Sequence, residues 1–167
     1  TERIVAISEN ALDSNTSLIK EKAAHIKTVV PNNMSVEAIL ALNPDLVILQ
    51  ENNNKAFIDS VKDTGLKVIV TKVPTNLSMV QKRIELIAKA VGEEERGKNI
   101  IDDMNKKIAY VNSKVGNIPE KDRKIAMAYS LQGVFGSKQG LFHDICIRSG
   151  LRNGAALAGL ERGDHLS

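Results

Sequence analysis

Apolar residues recur along this chain with two periods, and the two periods alternate. Residues 3–8, Arg-Ile-Val-Ala-Ile-Ser, are a short β-branched run bounded by polar residues, which predicts a strand. A weaker strand signal covers residues 27–30, after a stretch from Asn15 to Ala24 that reads as a short helix or irregular turn. Residues 34–42 read as a helix. Ser35 can cap it by accepting a backbone N–H, Glu37 suits its positive end, and Pro44 cannot continue it. Leu46, Val47, Ile48 and Leu49 form an unbroken apolar run, the pattern of a parallel strand covered on both faces. The cycle repeats with a helix over 54–62, a stop at Asp63-Thr64-Gly65, and a strand over 66–70. This alternation predicts an α/β fold with a parallel sheet of three or four strands, drawn from the segments at Arg3, Leu46 and Leu66.

Helical spacing then takes over. Leu77, Val80, Ile84, Ile87, Ala88 and Val91 share one period; Gly92 and an acidic start at Glu93-Glu94-Glu95 precede Ile100, Ile101, Met104, Ile108, Val111 and Val115. The pair is expected to form one long helical connector, broken or kinked near Gly92. Residues 117–122 read as a linker, and 123–129 as a strand opening a second α/β unit. Gly133, Gly136 and Gly140 break up a loop before a helix over 141–148, and residues 151–156 carry only a weak pattern. The expected division is a first α/β lobe at 1–76, a connecting helical region at 77–116 and the start of a second α/β lobe at 117–167.

Composition narrows the function. Lys+Arg exceed Asp+Glu by only 3, Trp is absent and aromatics are 3%, so neither a basic nucleic-acid surface nor a stacking platform is present. The single Cys146 excludes an internal disulfide framework; it sits on an amphipathic helix and reads as a small buried thiol. His25, His143 and His165 are scattered, and the adjacent His143 and Asp144 would point about 100° apart on a helix, so no metal centre is expected. No catalytic constellation emerges. Residues 133–138 lack the spacing of a phosphate loop, and Ser130 and Ser137 lack a nucleophile-elbow context.

Two segments carry a resemblance. Residues 32–48, Asn-Asn-Met-Ser-Val-Glu-Ala-Ile-Leu-Ala-Leu-Asn-Pro-Asp-Leu-Val-Ile, are similar to the signature S-hydrophobic-E-x-I-x-x-L-x-P-D-L-V-I of the helical-backbone periplasmic substrate-binding proteins of ABC importers for iron chelates, haem and cobalamin. Residues 136–153 resemble that family's second-lobe pattern G-x-G-S-F-L-x-D-L-I-x-x-A-G-G-x-N, and the long helix lies between the two in the family order. Residues 3–8 better match the family's second short strand than its first, and 163–167 resemble the run-up to a second-lobe repeat. The resemblance therefore implies a chain short of the family pattern at both ends. It also implies two α/β lobes joined by one long helix, a ligand cleft between them, no enzymatic activity and no resident cofactor. The expected partners are an ABC permease and a metal-chelate ligand, at a periplasmic or cell-surface lipoprotein location. An α/β enzyme or regulatory domain of nitrogenase-like or flavodoxin-like type is the alternative.

Open parallel α/β sheets bind ligands outside the C-terminal ends of their strands. That rule selects Ser8, Glu9 and Asn10; Gln50, Glu51 and Asn52; Lys72 and Val73; and, in the second lobe, Ser130, Leu131 and Gln132. Gly136 and Ser137 join them through the glycine-broken loop. The resemblance assigns Glu37 to docking on the permease. A chain lacking the opening strand of one lobe and most of the other is not expected to bind ligand as a whole two-lobed cleft does. Uncovered strands would also favour a homo-oligomer, with Val134, Phe135, Leu141, Phe142 and Ile145 left exposed.

Overall fold

The computed structural model describes residues 3–15, 17–130 and 133–161, with Ser130 described by its backbone alone. The chain divides into two compact units, residues 1–72 and 73–167.

In the first unit, β1 (Ile7–Ser8) runs parallel to β2 (Val29–Val30), and β3 (Val47–Gln50) runs parallel to β4 (Val68–Thr71). Helices α1 (Lys20–Ala23), α2 (Val36–Ala41) and α3 (Lys55–Asp63) fill the crossovers. The expected cap of α2 is present, and α3 carries one as well. The Ser35 hydroxyl accepts from Ala38 N–H at the start of α2, and Asn54 accepts from Phe57 N–H at the start of α3. The chain leaves α2 through Asn43, whose φ of 47° suits a short polar side chain, and then meets Pro44. Ala23, Ile26, Ile39, Ile58 and Val61 form the buried apolar set of this unit, with Val61 at 0% exposure.

Two expectations are corrected here. The strands form two separate pairs; among the described residues no ladder joins them into one sheet of three or four. The β1–β2 ladder is only two residues long, so most of the apolar run over 3–8 contributes no pairing. The run at Leu46–Leu49 is not covered on both faces, because side chains alternate along β3 and Ile48 stays 42% exposed.

In the second unit, α4 (Leu77–Val91) and α5 (Glu94–Val115) do not make one kinked connector. Gly92 takes a left-handed φ of 68°, Glu93 N–H closes onto the Ala88 carbonyl, and the chain reverses. The two helices then pack side by side. Gly97 on α5 lies so close to Ala88 on α4 that an added Cβ would sit 2.5 Å from the Ala88 methyl. Further along, Gln81 Nε2 donates to Asn105 Oδ1 at 2.8 Å. Periodicity places an apolar stripe on each helix but does not say what faces it, and here each stripe faces the other.

The strand expected over 123–129 splits at Met127. Its first part, β5 (Ile125–Ala126), pairs in parallel with β8 (Arg152–Asn153). Its second part, β6 (Ala128–Ser130), forms an antiparallel hairpin with β7 (Gly133–Phe135), in a stretch expected to be loop. Helices α6 (Leu141–Arg148) and α7 (Gly154–Leu157) complete the unit, so it holds more structure than the single strand and helix expected of it. Val134 is buried with Ala155 and Leu160 rather than exposed. Leu141 and Phe142 are half-buried, and only Phe135 and Ile145 of the five expected surface residues remain exposed.

Asp144 ties α6 to α4. Its Oδ2 accepts the backbone N–H of Leu77 at 2.8 Å, one of the orphan donors of the α4 N-terminus, and the Arg148 Nε–H at 3.0 Å. Cys146 is 2% exposed, and burial pushes its thiol pKa up, as expected of a structural rather than reactive cysteine.

Candidate ligand site

The C-terminal ends of β1 and β2 gather four polar side chains into one hydrogen-bonded cluster. β1 ends at Ser8, and the chain enters a tight 3-10 turn at Glu9–Ala11, which Ser8 caps by accepting from Asn10 N–H. β2 ends at Val30, and Pro31 then delivers Asn32 beside that turn. Asn32 Oδ1 accepts from the Ser8 hydroxyl at 2.8 Å and from Asn10 Nδ2 at 3.1 Å. Asn32 Nδ2 donates to Glu9 Oε1 at 2.9 Å and to Asn10 Oδ1 at 3.1 Å. The Asn32 backbone N–H also donates to Glu9 Oε1, at 3.1 Å. Both amide groups of Asn32 are thus fully used, an unusual degree of satisfaction for an exposed side chain.

Beyond Asn10 lies an open, largely apolar depression of about 570 Å³, lined by Asn10, Ala11, Ser17, Leu18 and Ile19. Asn10 is the member of the polar cluster that borders this depression.

The ends of β3 and β4 form a second polar group. Gln50 at the end of β3, and Glu51 and Asn52 just beyond it, are exposed. Asn53 Oδ1 accepts from Gln50 N–H at 2.9 Å, and Glu51 N–H donates to the Thr71 carbonyl at 2.9 Å. Thr71, 3% exposed, donates its hydroxyl to the Leu49 carbonyl and so fixes the two strand ends together. Lys72 is exposed just past β4, and the half-buried Val73 opens the second unit.

The second-unit candidates are placed differently. Ser130 ends β6 opposite Gly133, while Leu131 and Gln132 lie outside the described residues. The Gly136 carbonyl is taken by Asn153 Nδ2 at 2.5 Å, and Ser137 is buried at 8% exposure. Both lie closer to the packing of the unit than to a solvent-facing rim.

Asn32 is the residue that strand-end reasoning missed. Residues 27–30 carry only a weak β pattern, so the strand-end rule does not reach their exit. An Asn two residues past a β-branched pair, after a Pro, was the available signal.

Glu37 lies exposed in the first turn of α2. Its own backbone N–H, and then the Ser35 hydroxyl, hold its carboxyl below the ordinary glutamate range. Among the described residues no group of three or more His, Cys, Asp or Glu side chains converges as a metal site. Among them, too, no helix is long and apolar enough to cross a membrane.

Comparison with known proteins agrees with this architecture. The chain is 26% identical over 126 residues to the ABC transporter substrate-binding lipoprotein YvrC of Bacillus subtilis (strain 168), covering 74% of this chain and 38% of that protein. It is 26% identical over 105 residues to the iron(3+)-hydroxamate-binding protein YxeB of the same organism, covering 62% of this chain and 30% of that protein. Among solved structures, the periplasmic heme-binding protein RhuT from Roseiflexus sp. RS-1, in apo form, superposes with a TM-score of 0.81 at 23% identity, over 99% of this chain and 63% of RhuT. The chain therefore spans well under half the length of these two curated relatives and about two thirds that of RhuT. The family described as periplasmic binding protein matches residues 1–156. With nearly the whole chain matched, this protein belongs to the periplasmic binding protein family.

Proposed function

We propose that the chain is a solute-binding component of an ABC importer for an iron chelate, acting in the periplasm or as a cell-surface lipoprotein, with a membrane permease as partner. Membership of a family of binding components sets aside the enzyme alternative. The names of YxeB and RhuT supply the ligand chemistry, ferric hydroxamate and haem. The observation that carries the reading is the cluster of Ser8, Glu9, Asn10 and Asn32, four polar side chains held where two adjacent parallel strands end. The division into a first lobe at 1–76, a helical region at 77–116 and second-lobe elements at 117–167 belongs to the same proposal. So does self-association through exposed Phe135 and Ile145.

Glu37 serves in this reading as the permease-docking residue of the first unit. An exposed carboxylate on a capped helix turn is a fixed, ionised contact for a basic surface. Its depressed pKa means that the charge persists below the pH at which an ordinary glutamate would lose it. It is lost only as pH falls through the lowered value. Uptake of iron-55 chelate by cells carrying the importer tests both claims. Disrupting the gene should abolish uptake of one chelate class. Glu37→Lys should slow that uptake roughly tenfold, the scale of a close charge pair turned repulsive at an interface, while leaving chelate binding unchanged. Undiminished uptake after disruption would refute the function; undiminished uptake in Glu37→Lys would refute the docking role.

A further inference from the structure

The Asn32 cluster has a chemistry of its own, and the following rests on the ligand-binding reading above. Asn32 belongs to neither the β1 turn nor the depression beside it, yet every polar atom of its side chain is spent on Ser8, Glu9 and Asn10. Asn32 and Asn10 exchange amide hydrogen bonds in both directions, each at 3.1 Å. Glu9 uses one oxygen, Oε1, for both Asn32 donors, and its carboxylate stays exposed. The charged groups at the strand ends of this unit are Glu9, Glu51 and Lys72, which sum to one net negative charge. Among the described residues, the strand ends of this unit carry no His, Cys or Tyr that could ligate iron.

We propose that Asn32 is a positioning residue that clamps the loops after β1 and β2 into one rigid rim, and that this rim, through the outward carboxylate of Glu9, favours a neutral or cationic chelate with complete iron coordination over an anionic one. A ligand-free rim that is already ordered loses little entropy when it binds. An acceptor-rich, net-negative rim attracts donor groups and repels carboxylates at the ligand edge. A cationic ferric trihydroxamate has the first property and fills its own iron coordination. Haem carries two propionates and looks to a protein for an axial ligand, which this rim does not offer.

Two substitutions separate the clamp from the contact. Asn32→Asp keeps the size but replaces two donors with an acceptor and sets a second carboxylate against Glu9, the titratable group that faces it. Glu9→Gln keeps a carbonyl oxygen for Asn32 but removes the charge. Hydrogen exchange of the Asn32 and Asn10 backbone amides reads the clamp without any ligand. Asn32→Asp should exchange more than tenfold faster at pH 7 and recover toward the wild-type rate below about pH 4, where carboxyls protonate. Competition between cationic ferric trihydroxamate and haem reads the rim. Wild type should prefer the trihydroxamate, and Glu9→Gln should narrow that preference by roughly two- to fivefold, the range of an exposed charge pair. Unchanged exchange in Asn32→Asp overturns the clamp. A wild-type preference for haem, or a preference that Glu9→Gln leaves untouched, overturns the rim. Binding of neither chelate contradicts the proposed function and the rim, while the exchange arm still decides the clamp.

Discussion

Replacing Asn153 with alanine is expected to destabilise the second unit by about 2–4 kcal/mol. Asn153 is 2% exposed and serves three segments at once. Its backbone pairs β8 with β5, its Nδ2 donates to the Gly136 carbonyl at 2.5 Å, and its Oδ1 accepts Ala155 N–H at 3.0 Å to cap α7. Alanine removes the cap, worth about 1 kcal/mol, and strands a part-buried carbonyl, worth about 1–3 kcal/mol more. The chain lacks Trp, but Cys146 in the same unit is a built-in reporter. Its thiol, 2% exposed, becomes reactive only when α6 opens, so thiol-labelling rates against urea measure this unit by itself. A cost below about 0.5 kcal/mol, the range of ordinary surface changes, would contradict the role given to Asn153.

Gly150→Ala should cost about 2–5 kcal/mol for a different reason. Gly150 ends α6 at a φ of 70°, where a side chain adds about 1–2 kcal/mol of backbone strain. Its missing Cβ is also where α5 approaches. An added methyl would lie 2.6 Å from Val115 Cβ, and such overpacking costs about 1–3 kcal/mol. The two causes separate in a double-mutant cycle. The contact is to the Val115 Cβ, which Val115→Gly removes, so the double mutant should be about 1 kcal/mol more stable than the sum of the single effects. Strict additivity would place α5 away from the end of α6.

Both predictions rest on residues whose importance the chain displays unevenly. Gly150 and Asn153 stand in the segment that resembles a family second-lobe pattern, but their roles become visible only when Val115 and Gly136 are seen beside them. Caps read directly from sequence. Ser35 starts α2 as expected, because a cap depends on neighbours within one turn. Partners separated by many residues do not read so. Gly92 marks a break, yet only tertiary contact tells a kink from the reversal that lays Ala88 against Gly97. Two-residue ladders such as β1–β2 and the four-residue α7 are too short to leave a period. In the site, the strand-end rule found Ser8, Glu9 and Asn10, which the structure brings together. It does not reach Asn32, which follows the weakly marked strand over 27–30, and Ser137, drawn from the glycine-broken loop, is buried.

Titration calorimetry of the chain with ferric trihydroxamate and, separately, with haem tests the chelate-binding claim most directly. The account predicts saturable one-to-one binding of at least one of them, in the micromolar range at about −8 kcal/mol. No saturable heat from either chelate up to about 1 mM, a limit near −4 kcal/mol, would contradict it.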